Sequence, residues 1–88
     1  MNIVVIGVGY VGLITGLSLA KLGNEITFLD IDSSKISNLS NGIPTFYEPD
    51  LDSYLNNEEI KKSTQFFDKY ESIDWKNIDV VLICVQTP

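Results

Sequence analysis

The sequence predicts an α/β fold: a parallel sheet with helices on both faces. Three observations carry that prediction. Short apolar runs alternate along the chain with segments of helical spacing. The first of these runs is consecutively apolar, as a strand covered on both faces is. The first run also opens directly into Gly7-Val8-Gly9-Tyr10-Val11-Gly12, with a long apolar segment behind it. Strand, tight turn, helix and strand in that order give parallel neighbours joined by right-handed crossovers.

The first strand spans residues 2–7, built on Ile3-Val4-Val5-Ile6. Each glycine after it has a physical task. Gly7 lets the chain leave the strand in a tight turn, and Gly9 has no Cβ to keep a pyrophosphate from the backbone. Gly12 lets the following helix lie close to the strand. The helix N-terminus adds free N–H groups and a partial positive charge, which suit a diphosphate. The pattern is that of a Rossmann-type dinucleotide-binding unit. The bland alternative is a strand-to-helix turn whose glycines serve packing alone.

The first helix spans residues 10–22, with Leu13, Ile14, Leu17 and Ala20 toward the sheet. Gly12 and Gly16 share one face, and each costs an isolated helix about 1 kcal/mol, so a tertiary reason for them is expected. Gly23 suits a left-handed cap. The second strand, residues 25–30, ends in Asp30. That acid follows Gly12 by close to the roughly 20 positions at which a carboxylate meets the adenosine ribose. It would repel a 2′-phosphate, and the chain has no Arg to receive one, so NAD is expected over NADP.

Asp32 or Ser33 caps a second helix that runs to Leu39 and stops at Asn41-Gly42. Lys35 stands in its first turn, within reach of the ribose edge, although an exposed helical lysine is more often merely solvated. Residues 42–49 read as a loop, and Pro49 opens a short helix with Leu51, Tyr54 and Leu55 inward. Residues 58–63 are polar and read as exposed. Residues 64–67 make a third strand, 68–74 a short helix, and 79–85 the last strand. Gly7, Asp30 and Thr87 then share the C-terminal edge of the sheet, where such sheets bind ligands. Cys84 lies inside an apolar run with no base beside it, so it reads as a buried apolar residue rather than a nucleophile.

Composition narrows the function. The 88 residues are 44% hydrophobic and 20% charged, a globular balance, with 12 acids against 6 lysines. A net charge of −6 speaks against binding nucleic acid or anionic membranes through bulk charge. One Cys and no His exclude an ordinary structural zinc site, so no metal ligands are expected. A lone Cys, no charged leader and no bilayer-spanning run fit a cytoplasmic protein. The chain has residues for only one βαβαβ half, so residues 1–88 read as a fragment of an NAD-binding domain with no complete catalytic constellation.

Taken together, Ile6-Gly7-Val8-Gly9-Tyr10-Val11-Gly12-Leu13, Asp30-Ile31-Asp32, Lys35-Ile36, Tyr47-Glu48-Pro49 and Val85-Gln86-Thr87-Pro88 resemble one family. It is the UDP-glucose 6-dehydrogenase family, which also holds GDP-mannose and UDP-N-acetylmannosamine dehydrogenases. The resemblance covers essentially the whole chain and is weakest over residues 58–76. Asp50 stands where the family often has Gly, and Gln86 where Pro or Asn is common. Both leave the subfamily open.

The resemblance implies oxidation of a nucleotide sugar's primary alcohol to a carboxylate. It implies two NAD in succession and a covalent thioester on a cysteine that lies downstream, with the UDP-sugar domains. It gives Tyr10 and Val11 backbone contacts to the pyrophosphate, Asp30 and Lys35 the ribose, and Thr87 a place near the cofactor. A homodimer is the family expectation. UDP-glucose is the expected substrate, with UDP-N-acetylmannosamine or GDP-mannose as alternatives. Two rivals remain: a hydroxyacid or sugar-acid dehydrogenase with the same first half, and a non-catalytic NAD-binding regulatory domain.

Overall fold

The computed structural model of the chain describes residues 1–85. Four strands, β1 (Asn2–Ile6), β2 (Glu25–Leu29), β3 (Thr64–Phe67) and β4 (Val80–Ile83), form one parallel sheet in the order β3-β2-β1-β4. The chain winds outward from β1 through β2 to β3, then crosses back to place β4 on the other side of β1. Order reverses between β1 and β4, and a cleft at the C-terminal ends of such a pair is where these sheets bind ligands.

Register sorts the strand residues onto two faces. Ile3, Val5, Ile26 and Phe28 point to one side, against α1 (Tyr10–Lys21), α2 (Ser33–Ser40), α3 (Leu51–Leu55) and α4 (Glu58–Lys62). Leu13, Leu17 and Ala20 of α1 are buried there, with Ile14 packed at the margin. Phe28 is fully buried and stacks on Phe66, ring centroids 4.8 Å apart. On the second face, Val4 and Leu29 pack with Ile73, Trp75 and Ile78 from a segment holding two 3-10 turns, Tyr70–Ser72 and Trp75–Asn77. Beside them Val81 and Ile83 of β4 stay exposed.

Local chemistry fixes the helix ends. Gly23, at φ +102°, closes α1: its N–H donates to Ala20 and that of Asn24 to Leu19, the double bond of a Schellman cap. Asp32 rather than Ser33 caps α2, accepting the Lys35 N–H at 3.2 Å. Ser33 instead donates its hydroxyl to Asp68 at 2.8 Å. The third helix begins after Asp50, not at Pro49.

Two expectations are corrected. The polar stretch 58–63 holds the helix α4, capped by Asn57, which accepts the N–H groups of Glu59 and Ile60, and it buries Ile60. One apolar residue in five gives no readable period, yet the cap and the acids before lysines satisfy both helix ends. The last strand is shorter than residues 79–85, so Cys84 lies just past it and is half-buried rather than enclosed.

Candidate functional site

The turn from β1 to α1 is held from three sides. Gly7 takes φ +102°, a conformation that disfavours a side chain, and its N–H donates to Leu29 at 2.8 Å. A Cβ there would stand 2.9 Å from the Cys84 carbonyl oxygen, so β4 closes the turn from the other side. Gly12 sits behind the turn, where a Cβ would run into the Gly7 carbonyl and reach 3.0 Å from the Cys84 Cβ. These two glycines are needed by the protein itself.

Gly9 is different. Its φ of −65° is open to any residue, and among the described residues an added Cβ would meet nothing within 4 Å apart from its own chain neighbours. Among the described residues nothing demands glycine there. The open space faces the start of α1, whose N-cap is Gly9, with no side-chain cap and no acid in the first turn. The first intrahelical bond runs from Leu13 N–H to Gly9 at 2.9 Å, so the helix begins with amides that have no intrahelical acceptor. A backbone stripped of side chain beside uncapped amides fits a diphosphate.

Asp30 lies one residue beyond β2 and is fastened on both carboxylate oxygens. One accepts the Val8 N–H at 2.9 Å and the other the Asp32 N–H at 2.9 Å. Its backbone N–H donates to Phe67 at 3.2 Å. The side chain is thus fixed before any ligand arrives, with lone pairs left to accept further hydroxyls.

Gly7, Gly9, Tyr10, Asp30 and Lys35 line one open cleft of about 260 Å³. The sequence places these five together and the structure does the same. Val11 lies along an adjoining cleft with Gly9 and Tyr10. Gly12 supports the turn from behind. Thr87 lies outside the described residues. Three lining residues escaped the sequence reading: Phe46, Cys84 and Val85. Larger depressions of about 370 and 420 Å³ lie elsewhere, but neither contains any residue of the glycine turn. Among the described residues no group of His, Cys, Asp or Glu is placed to hold a metal, and no helix is long and apolar enough to cross a membrane.

Sheet order, glycine turn and strand-end acid define the first half of a dinucleotide-binding domain. Comparison with known proteins gives the family. The chain belongs to the UDP-glucose/GDP-mannose dehydrogenase family as its NAD binding domain, with residues 1–88 matching that family's model. NAD is the cofactor of this domain.

The chain is 40% identical over 88 residues to UDP-glucose 6-dehydrogenase YwqF of Bacillus subtilis, covering 100% of this chain and 20% of that protein. It is 42% identical over 88 residues to the UDP-glucose 6-dehydrogenase of Rickettsia typhi, with the same coverage of 100% and 20%. Its backbone superposes on a UDP-D-ManNAc dehydrogenase from Pyrococcus horikoshii with a TM-score of 0.88 at 36% identity, covering 100% of this chain and 21% of that one. It superposes on a GDP-mannose dehydrogenase from Pseudomonas aeruginosa with a TM-score of 0.89 at 30% identity, covering 100% and 20%. The chain therefore spans about a fifth of the length of these relatives.

Proposed function

We propose that this chain is the N-terminal NAD-binding part of a nucleotide-sugar dehydrogenase that oxidises UDP-glucose to UDP-glucuronate with two NAD. The observation that carries it is the match of all 88 residues to the family's NAD binding domain, together with relatives named as UDP-glucose 6-dehydrogenases at about 40% identity. In the longer protein, further strands extend the sheet beyond β4 and separate domains hold the sugar nucleotide and the catalytic groups. The place of β4 at the edge of the sheet supports further strands there, and the exposed Val81 and Ile83 on its face offer apolar surface for a following element to cover.

The residues present fit the cofactor. Gly9 leaves room at the backbone, and the first-turn amides of Tyr10, Val11 and Gly12 offer donors to the pyrophosphate. Asp30 accepts the ribose hydroxyls and Lys35 neutralises charge at the same edge. Gly7 makes the turn that aims these groups. Thr87 joins the set on its motif. Bound NAD supplies the electron acceptor for the oxidation. This chain's residues bind and orient it, and none is catalytic. The 88 residues alone are accordingly inactive, and the active protein is a cytoplasmic homodimer without nucleic-acid or membrane partners.

A second reading keeps the family and changes the sugar. The structural likeness to the UDP-D-ManNAc and GDP-mannose dehydrogenases favours it. The test uses the full-length protein with NAD and, separately, UDP-glucose, UDP-N-acetylmannosamine and GDP-mannose. Two NADH per UDP-glucose consumed support the first reading. Two NADH with another sugar move the substrate. One NADH per nucleotide sugar would mean a two-electron oxidation that stops at the aldehyde and would overturn the use of two NAD. NAD binding without turnover on any substrate points to a regulatory domain.

A further inference from the structure

The connection between α2 and α3 folds back over the glycine turn, and both its ends are fastened. The Ile43 N–H donates to Asn38 at 2.8 Å, and the Gly42 carbonyl accepts Asn56 Nδ2 at 3.1 Å. At the far end the Leu51 N–H donates to Glu48 at 3.0 Å. Pro44 and Pro49 restrict the backbone between them. Midway, Phe46 rests against the core while lining the cleft. Its ring meets that of Tyr10 edge to face, centroids 6.0 Å apart and planes at 86°. The Tyr10 hydroxyl donates to Glu48 Oε2 at 3.4 Å.

Tyr10 opens α1, and its side chain is half-exposed at 50%. Left alone, such a ring samples several rotamers, and a ligand entering the cleft would have to order it. Here one partner meets the ring and another holds its hydroxyl. We propose that Phe46 and Glu48 are positioning residues of the dinucleotide site, fixing the Tyr10 ring as a wall of the cleft before the ligand binds. This inference rests on the NAD reading above. Neither residue needs to touch the reacting atoms. Both act through Tyr10.

The test measures NAD dissociation constants and steady-state kinetics on the full-length protein. Phe46→Leu keeps an apolar side chain on the core but removes the edge-on ring. It raises the Kd and the KM for NAD about fivefold, the range of an aromatic pair. It leaves kcat and the thermal midpoint of the NAD-free protein near wild type, because only uniform binding is lost. Tyr10→Leu raises the Kd similarly, and adding Phe46→Leu to it brings no further loss. A merely structural Phe46 would not give that non-additivity.

Glu48→Ala touches no core packing and raises the Kd about twofold, while Glu48→Gln keeps an acceptor and restores it. This pair carries the test should Phe46→Leu fail to fold. Wild-type NAD binding with an unchanged Kd in both Phe46→Leu and Glu48→Ala overturns the inference alone. Absence of NAD binding by the wild-type protein overturns it together with the NAD reading.

Discussion

The carboxylate of Asp30 accepts the backbone N–H of Val8 at 2.9 Å, across 22 positions of sequence. Its other oxygen takes the Asp32 N–H, so one side chain ties the glycine turn to the start of α2. Val8 is fully buried, and its amide relies on this bond. Asp30 is therefore a structural latch as well as the residue proposed to hold the ribose. Asp30→Ala is expected to cost about 1–3 kcal/mol in urea unfolding, the penalty of a buried amide left without a partner. NAD affinity should fall in the same variant. An unmoved unfolding midpoint would show that the latch carries no stability.

Gly12→Ala is a packing test with no cofactor in it. The new methyl would collide with the Gly7 carbonyl oxygen and press on the Cys84 Cβ. Backbone cannot yield as a flexible side chain can. We expect a loss of about 1–3 kcal/mol or more in NAD-free protein, despite the better helix propensity of alanine. Thermal unfolding checks it, and a stabilised variant would refute the close approach.

Much of this was legible in the sequence, for definable reasons. Gly7, Gly9, Gly12 and Asp30 act at short range or at a fixed spacing, so their geometry follows from their positions. The uninterrupted apolar runs marked β1 and β4 as parallel strands, although of the two only β1 is buried on both faces and Val81 and Ile83 of β4 stay exposed. What escaped depends on contacts across long separations. Phe46 and Glu48 meet Tyr10 only because the loop 43–50 returns over the turn. Cys84 looked enclosed because its neighbours are apolar. It lines the cleft because β4 ends at Ile83, with the Cys84 N–H donating to Ile6 at 2.8 Å. Helix α4 was hidden because Ile60 alone among its residues is apolar.

Gly16→Ala probes the other helical glycine. A Cβ there would enter the Phe28 ring, which is already stacked on Phe66. Overpacking of this kind costs about 1–3 kcal/mol, against roughly 1 kcal/mol gained in helix propensity. The expected result is a lower thermal midpoint with NAD affinity near wild type once folded protein is counted.

Lys35 lies in the first turn of α2 and lines the cleft beside Asp30. Lys35→Ala should leave unfolding within about 0.5 kcal/mol of wild type, as for an ordinary surface substitution. It should weaken NAD about threefold, an effect that shrinks as salt rises. Titration calorimetry at two ionic strengths reads both. Salt-independent affinity equal to wild type would make Lys35 a solvated residue only.

The central claim is that the glycine turn is shaped for a dinucleotide and not only for the fold. Gly9 isolates that claim, because among the described residues nothing beyond its chain neighbours lies within 4 Å of where its Cβ would be and its φ is ordinary. The measurement is the NAD dissociation constant of Gly9→Ala beside its unfolding free energy, in the full-length protein. We expect stability within about 1 kcal/mol of wild type, the N-cap loss being offset in part by the less flexible unfolded chain. NAD affinity should be at least about tenfold weaker, from a methyl placed where the pyrophosphate meets the backbone. A Gly9→Ala protein that folds and binds NAD as tightly as wild type would contradict the claim.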